Sequence, residues 1–145
     1  MLSRLVVGLD GGDTGSRAVD FARKLAARME DCELILVYVI EWSPFSFQTA
    51  EENAQRHRRR EEEIDAARSR IVTPAVEALQ SQGVKVRGLV RHGNVSDALD
   101  RIARDEGADL IVVARTSDTG VASRIFGSST ANLVMHATVP VTVVG

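Results

Sequence analysis

Residues 109–130 read DLIVVARTSDTGVASRIFGSST. The first six, Asp109–Ala114, are short, rich in β-branched residues and apolar on both faces. That is the pattern of a parallel strand buried between two layers of helix. The run then breaks into a connection rich in glycine and hydroxyls that closes on Gly127-Ser128-Ser129-Thr130. A loop of this length is long for such a fold, and long ordered loops are often functional.

Four further runs share the character of the first: RLVVGL (Arg4–Leu9), ELILVYVI (Glu33–Ile40), VKVRGLV (Val84–Val90) and VPVTVV (Val139–Val144). Helical stripes lie between them. Ala18, Phe21, Ala22, Leu25, Ala26 and Met29 recur every three or four residues, as do Ile64, Ala67, Ile71, Ala75 and Ala78. Leu99, Ile102 and Ala103 make a third stripe, and Ala131, Val134 and Met135 a fourth. Such spacing places each set on one helix face, able to pack on a sheet. The alternation predicts a three-layer α/β/α sandwich with a five-stranded, mostly parallel sheet and right-handed crossovers. Pro74 interrupts the second helical segment, which is either kinked there or restarted at Thr73-Pro74.

The chain of 145 residues fits one domain, 1–145, with a sizeable core. A formal net charge of −2 argues against a general nucleic-acid binder. Cys32 is the one cysteine, so no intramolecular disulfide can form, and a reducing compartment is expected. Its neighbours Asp31 and Glu33 offer nothing to activate it. The opening MLSRLVVGLDGG does not read as a signal peptide, and no run reaches the length of a membrane span. A soluble, cytoplasmic protein without nucleic-acid or membrane partners is the expectation. EENAQRHRRREEE (Glu51–Glu63) reads as a solvated helix face laced with ion pairs, or as a patch for a protein partner. EWSPFSFQTA (Glu41–Ala50) has loop composition, with Trp42, Phe45 and Phe47 as candidates for exposure.

In an open sheet of this kind, ligands sit beyond the carboxyl ends of the strands, where strand order reverses. That reversal would lie between the first and fourth strands. Two loops leave there: DGGDTGS (Asp10–Ser16) and the long connection after Ala114. Gly11 and Gly12 allow backbone to approach a ligand. A helix follows each loop, so free N–H groups face the crevice, a chemistry suited to phosphate. Ser128 or Ser129 would serve equally as a helix cap. No P-loop signature and no G-x-G-x-x-G occurs. His57, His92 and His136 show no metal-ligand spacing, and no catalytic triad can be read.

VVGLDGGDTGSRAVDFARKLA, ILVYVIE, GNVSDALDRIARDEGADLIVVA and GSSTANLVMHATVPVTVV together resemble the universal stress protein family over essentially the whole chain. The resemblance implies strand order 3-2-1-4-5 and an adenine nucleotide alpha hydrolase-like fold. It also implies a homodimer, often made by pairing the last strands. One branch of the family binds ATP through G-x-x-G, nine residues, then G-[ST]. Here the pattern reads Ala114-Arg-Thr-Ser117, nine residues, Gly127-Ser128. The distal half is intact and two small residues replace the proximal glycines. A positive φ at either would cost on the order of 1 kcal/mol.

Carried over by position, Asp10 and Gly11 would face ribose or the metal region, and Val39 the adenine. Ala114, Arg115 and Ser117 would line the phosphate path. Gly127, Ser128 and Ser129 would bind phosphates. ATP, ADP or AMP with Mg²⁺ (through Asp10) is the implied ligand, with at most slow hydrolysis. The alternative is a dimeric interaction module that has lost the nucleotide and works through Trp42–Glu63. An apolar last strand with Pro140 suits a sheet edge, and Val139, Val141 and Val143 would form the dimer contact.

Overall fold

A computed structural model describes residues 2–11, 13–41, 50–115 and 128–145. The elements run β1 (Ser3–Leu9), α1 (Asp13–Ala27), β2 (Cys32–Glu41), α2 (Ala50–Ala67), a π-helical turn (Arg68–Val72) and α3 (Thr73–Gln80). They continue with β3 (Lys85–Gly93), α4 (Val95–Asp105), β4 (Leu110–Ala114), α5 (Ser128–His136) and β5 (Val141–Val144). The sheet order is β3-β2-β1-β4-β5, and every pairing is parallel. This is the expected order 3-2-1-4-5, with helices on both faces.

Alternation along the strands feeds two cores. Val6 of β1, Ile35, Val37 and Val39 of β2, and Ile111 and Val113 of β4 face α4 and α5, where Leu99, Ile102, Ala103 and Leu133 meet them. Leu5, Val7, Leu34, Leu36 and Val112 face the other way, onto Ala18 and Ala22 of α1 and Leu79 of α3. The strands of β1, β2 and β4 are thus covered on both sides, and their runs are apolar without interruption.

The second helical stripe departs from its expected phase. The restart at Thr73-Pro74 is what the structure shows, since α3 begins at Thr73. A single π-helical turn precedes it, in which the Thr73 N–H donates to the Arg68 carbonyl, and Pro74 sits in the first turn of α3. There its missing N–H costs least. The extra residue in the turn rotates the helix beyond it. The buried face passes from Ala67 to Val72, five residues on, then to Leu79. Ala78, expected in the core, is exposed. Gly88 of β3 makes room for this turn, because a Cβ there would stand 2.2 Å from Val72 Cγ1.

The fourth stripe is corrected as well. Leu133 is buried, whereas Val134 and Met135 are 49% and 77% exposed. The Thr130 hydroxyl donates to the Ala114 carbonyl at 2.9 Å. That bond anchors the start of α5 and turns Leu133 and Ala137 inward. Phe21, counted into the first stripe, lies on its flank at 38% exposure. Strand limits differ by one to three residues from those expected. The largest change is at β3, which runs on to Gly93, and the last strand begins at Val141, after Pro140.

At the amino ends of the strands, charged residues knit the sheet. Glu33 accepts from Arg4 Nε at 3.2 Å and from Arg87 Nε at 3.3 Å. Arg87 also forks onto both oxygens of Glu106, and Arg4 Nη1 reaches the Glu106 carbonyl at 3.1 Å.

Candidate functional site

At the opposite, carboxyl ends of β1, β2 and β4 lies a cavity of about 520 Å³. Its position follows from the sheet order. β1 is flanked by β2 on one side and β4 on the other, and the chain winds away from it in both directions. The helices that follow β1 and β4 pack on opposite faces of the sheet, and a crevice opens between the two strand tips.

The walls are built from strand tips and two helix starts. Gly8, Leu9 and Asp10 come from the end of β1, and Val113 and Ala114 from the end of β4. Tyr38 to Glu41 contribute the tip of β2, Val95 and Leu99 the first turns of α4, and Ser128 to Thr130 the start of α5. Gly8 keeps the floor low, since a Cβ there would come within 3.1 Å of Val113 Cγ1 and 3.2 Å of Leu99 Cδ1. Asn94 caps α4 by accepting from the Asp97 N–H at 3.0 Å, which holds Val95 at the rim. Gly11 adopts φ +84, a conformation that favours glycine and lets the chain turn sharply out of β1.

The chemistry of the crevice is divided. One wall is apolar, formed by Val39, Leu99 and Val113. The other is polar, with the hydroxyls of Ser128, Ser129 and Thr130 and the carboxylates of Asp10 and Glu41. The Ser129 hydroxyl lies 3.5 Å from Glu41 Oε1. An apolar slot beside a helix start rich in hydroxyls can hold a flat ring with an anionic tail.

Of the residues expected at the site, Asp10, Val39, Ala114, Ser128 and Ser129 line this one crevice. Gly11 stands in the adjoining turn and lines a second cavity on the other sheet face. Arg115 is exposed, and its Nη1 passes 3.9 Å from where a Cβ on Gly145 would stand, beside the end of β5. Ser117 and Gly127 lie outside the described residues, as do Trp42, Phe45 and Phe47. Val139, Val141 and Val143 are half-buried against the α4–α5 core; Val141 and Val143 lie on the edge strand β5, and Val139 precedes it. Sequence reading missed Tyr38, Glu41, Val95 and Leu99 as crevice residues. Glu41 carried a usable signal, because two residues beyond Val39 a strand presents the same face.

Other candidate chemistry is quiet. Burial pushes the Cys32 thiol up, and the carboxylates of Asp109, Asp31 and Glu33 push it the same way. It is therefore held protonated, away from the nucleophilic thiolate. His57 pairs with Glu61 along α2, and His92 lies 3.8 Å from Glu63. Among the described residues no group of three or more His, Cys, Asp or Glu side chains could hold a metal ion. Nor is any described helix long and apolar enough to cross a membrane.

A family model described as the universal stress protein family matches residues 1–145. The chain belongs to the universal stress protein family. Among curated members, it is 32% identical over 143 residues to universal stress protein Rv1636 of Mycobacterium tuberculosis, covering 97% of this chain and 94% of that one. The solved structure of universal stress protein UspA from Lactobacillus plantarum superposes with a TM-score of 0.82 at 20% identity, over 99% of this chain and 97% of the other. That likeness establishes the fold. A universal stress protein solved in complex with cAMP matches with a TM-score of 0.65 and 26% identity, over 99% and 96% of the two chains.

Proposed function

We propose that this universal stress protein binds an adenine nucleotide in the crevice between the tips of β1 and β4, and that occupancy serves as a signal. The observation that carries this reading is the pairing of an apolar slot with a hydroxyl-rich helix start at the switch point of the sheet. The base stacks on Val39 and the apolar wall. Ribose lies toward Asp10. Phosphate meets the N–H groups and hydroxyls at the start of α5, together with Ser117 and Gly127 from the loop. The solved relative that holds cAMP supports an adenine ligand. Mg²⁺, where ATP is the ligand, arrives with the phosphates, and Asp10 is the carboxylate placed to share it. The replacement of the family's two proximal glycines by Ala114 and Ser117 weakens the cradle for a long phosphate chain. AMP and cAMP, which carry one phosphate, depend on it less. The function is that of a binding protein in one 1–145 domain, with hydrolysis slow at most.

Calorimetric titration of nucleotide-stripped protein tests this. Adenine nucleotides should bind in the micromolar range and GTP at least tenfold more weakly, about 1.4 kcal/mol of discrimination. Absence of heat with ATP-Mg²⁺, AMP and cAMP alike, with no shift in melting temperature, overturns the proposal.

A second reading, a dimeric interaction module, rests on α2. From Ala54 to Glu63 nearly every side chain is exposed, including Arg58, Arg59 and Glu61 to Glu63. That face is available to a protein partner whether or not nucleotide is bound.

A further inference from the structure

We propose that the second cavity is a binding site for a small organic anion with an apolar body, such as a carboxylate on a short aliphatic chain. The cavity, of about 340 Å³, lies on the sheet face opposite the nucleotide crevice, between α1 and the segment from the π-helical turn through α3. This is within the size range of small-molecule sites.

Its chemistry is two-sided. Leu9, Val19, Ile71, Ala75 and Leu79 supply an apolar interior. Arg23 of α1 and Arg70 of the π-helical turn stand at its edge, together with Asp20 and Gln82. Two arginines, one from each wall, thus stand at the opening with a single carboxylate. Among the described residues neither arginine makes an ion pair or a hydrogen bond, although other arginines on this chain, Arg4 and Arg87, are fully engaged. Arg23 is half-buried and Arg70 exposed, and both line a cavity whose interior is largely apolar. A guanidinium in that setting favours a carboxylate, which it can bind through two parallel bonds. The apolar interior favours a ligand with a hydrocarbon body over an inorganic anion.

The π-helical turn creates this site. By adding a residue between Ala67 and Val72, it directs Arg70 and Ile71 toward α1. An uninterrupted α-helix would carry them to a different face.

The test uses the full chain and sodium octanoate as probe, followed by amide and methyl NMR. Saturable shifts at Val19, Ala75 and Ala78 are expected within the millimolar range. Arg23→Gln and Arg70→Gln should each weaken binding about threefold, as expected for ion pairs at a solvent-open cavity edge. At matched concentration 1-octanol should bind more weakly than octanoate. Nucleotide affinity is measured on the same variants and should not change, which separates this site from the crevice. Shifts that are absent, or confined to Val39 and Ala114, overturn the proposal. Equal binding of 1-octanol, or undiminished octanoate binding to the double variant, overturns it as well.

Discussion

Under the nucleotide reading proposed above, Glu41 is the side chain expected to bear most directly on which nucleotide the crevice prefers. It places a carboxylate beside Ser129, at the helix start where phosphate would lie. Glu41 is exposed, and a second negative charge about 4 Å from a phosphate costs about 1 kcal/mol where bulk water screens the pair. Glu41→Gln should therefore tighten ATP binding several-fold in the absence of Mg²⁺ and change cAMP affinity much less, as read by titration calorimetry. Equal effects on the two ligands would place the phosphates elsewhere. At the other end of the sheet, the Arg87 hydrogen bond holds the Glu106 carboxyl below its ordinary range, helped by the positive charges of Arg87, Arg4 and Arg91. A carboxyl depressed by folding stabilises the fold above its unfolded pKa, near 4.3, and that contribution fades as pH falls through the folded value. Glu106→Gln should lose about 1 kcal/mol at pH 7, a figure suited to a partly exposed pair. By pH 3 the difference from the parent should shrink, and urea unfolding at the two pH values measures it.

The long helical segment between β2 and β3 is where element-scale reasoning departs from sequence periodicity. A strict three-and-four spacing carries the stripe to Ala78, because Ile64, Ala67, Ile71 and Ala75 keep that phase on paper. The turn at Arg68–Val72 breaks it, and the reason lies in another element, the notch left by Gly88 in β3. A local pattern cannot register a vacancy sixteen residues away. The same limit explains α5, whose phase is set by the bond from Thr130 to the β4 backbone. By contrast Asp10 and Ser128 were legible, since strand tips and helix starts announce themselves by a change of composition, whereas Val39 came from the family resemblance. Deleting Ser69 should convert the π-helical turn to ordinary winding and leave Pro74 inside a continuous helix. That costs about 3 kcal/mol. Adding Pro74→Ala to the deletion should recover most of the loss. Thermal unfolding of the two variants checks this, and a deletion variant as stable as the parent would contradict it.

At the scale of the molecule, the parallel sheet was readable because β1, β2 and β4 are apolar on both faces. The order of the strands came from the family resemblance, which the pairing of β1 with both β2 and β4 bears out. Among the described residues β5 has one sheet neighbour, β4, which leaves its outer edge as a template for pairing with another chain. We expect two copies to join along β5 about a two-fold axis. Sedimentation at micromolar concentration should give twice the chain mass, and Val143→Pro, which removes an edge donor, should give monomer. A monomeric parent protein would refute the arrangement.

The ionic cluster of Arg4, Glu33, Arg87 and Glu106 shares no residue with the crevice. Arg4 and Leu9 are five positions apart on β1, about 17 Å at ~3.3 Å per residue. That is roughly twice the distance over which exposed charges feel one another at physiological ionic strength. Inheritance can therefore act on the two ends separately. Substitutions that retune what the upper rim senses leave the fastening at the lower rim untouched, so new ligand preferences can evolve without first repairing the fold.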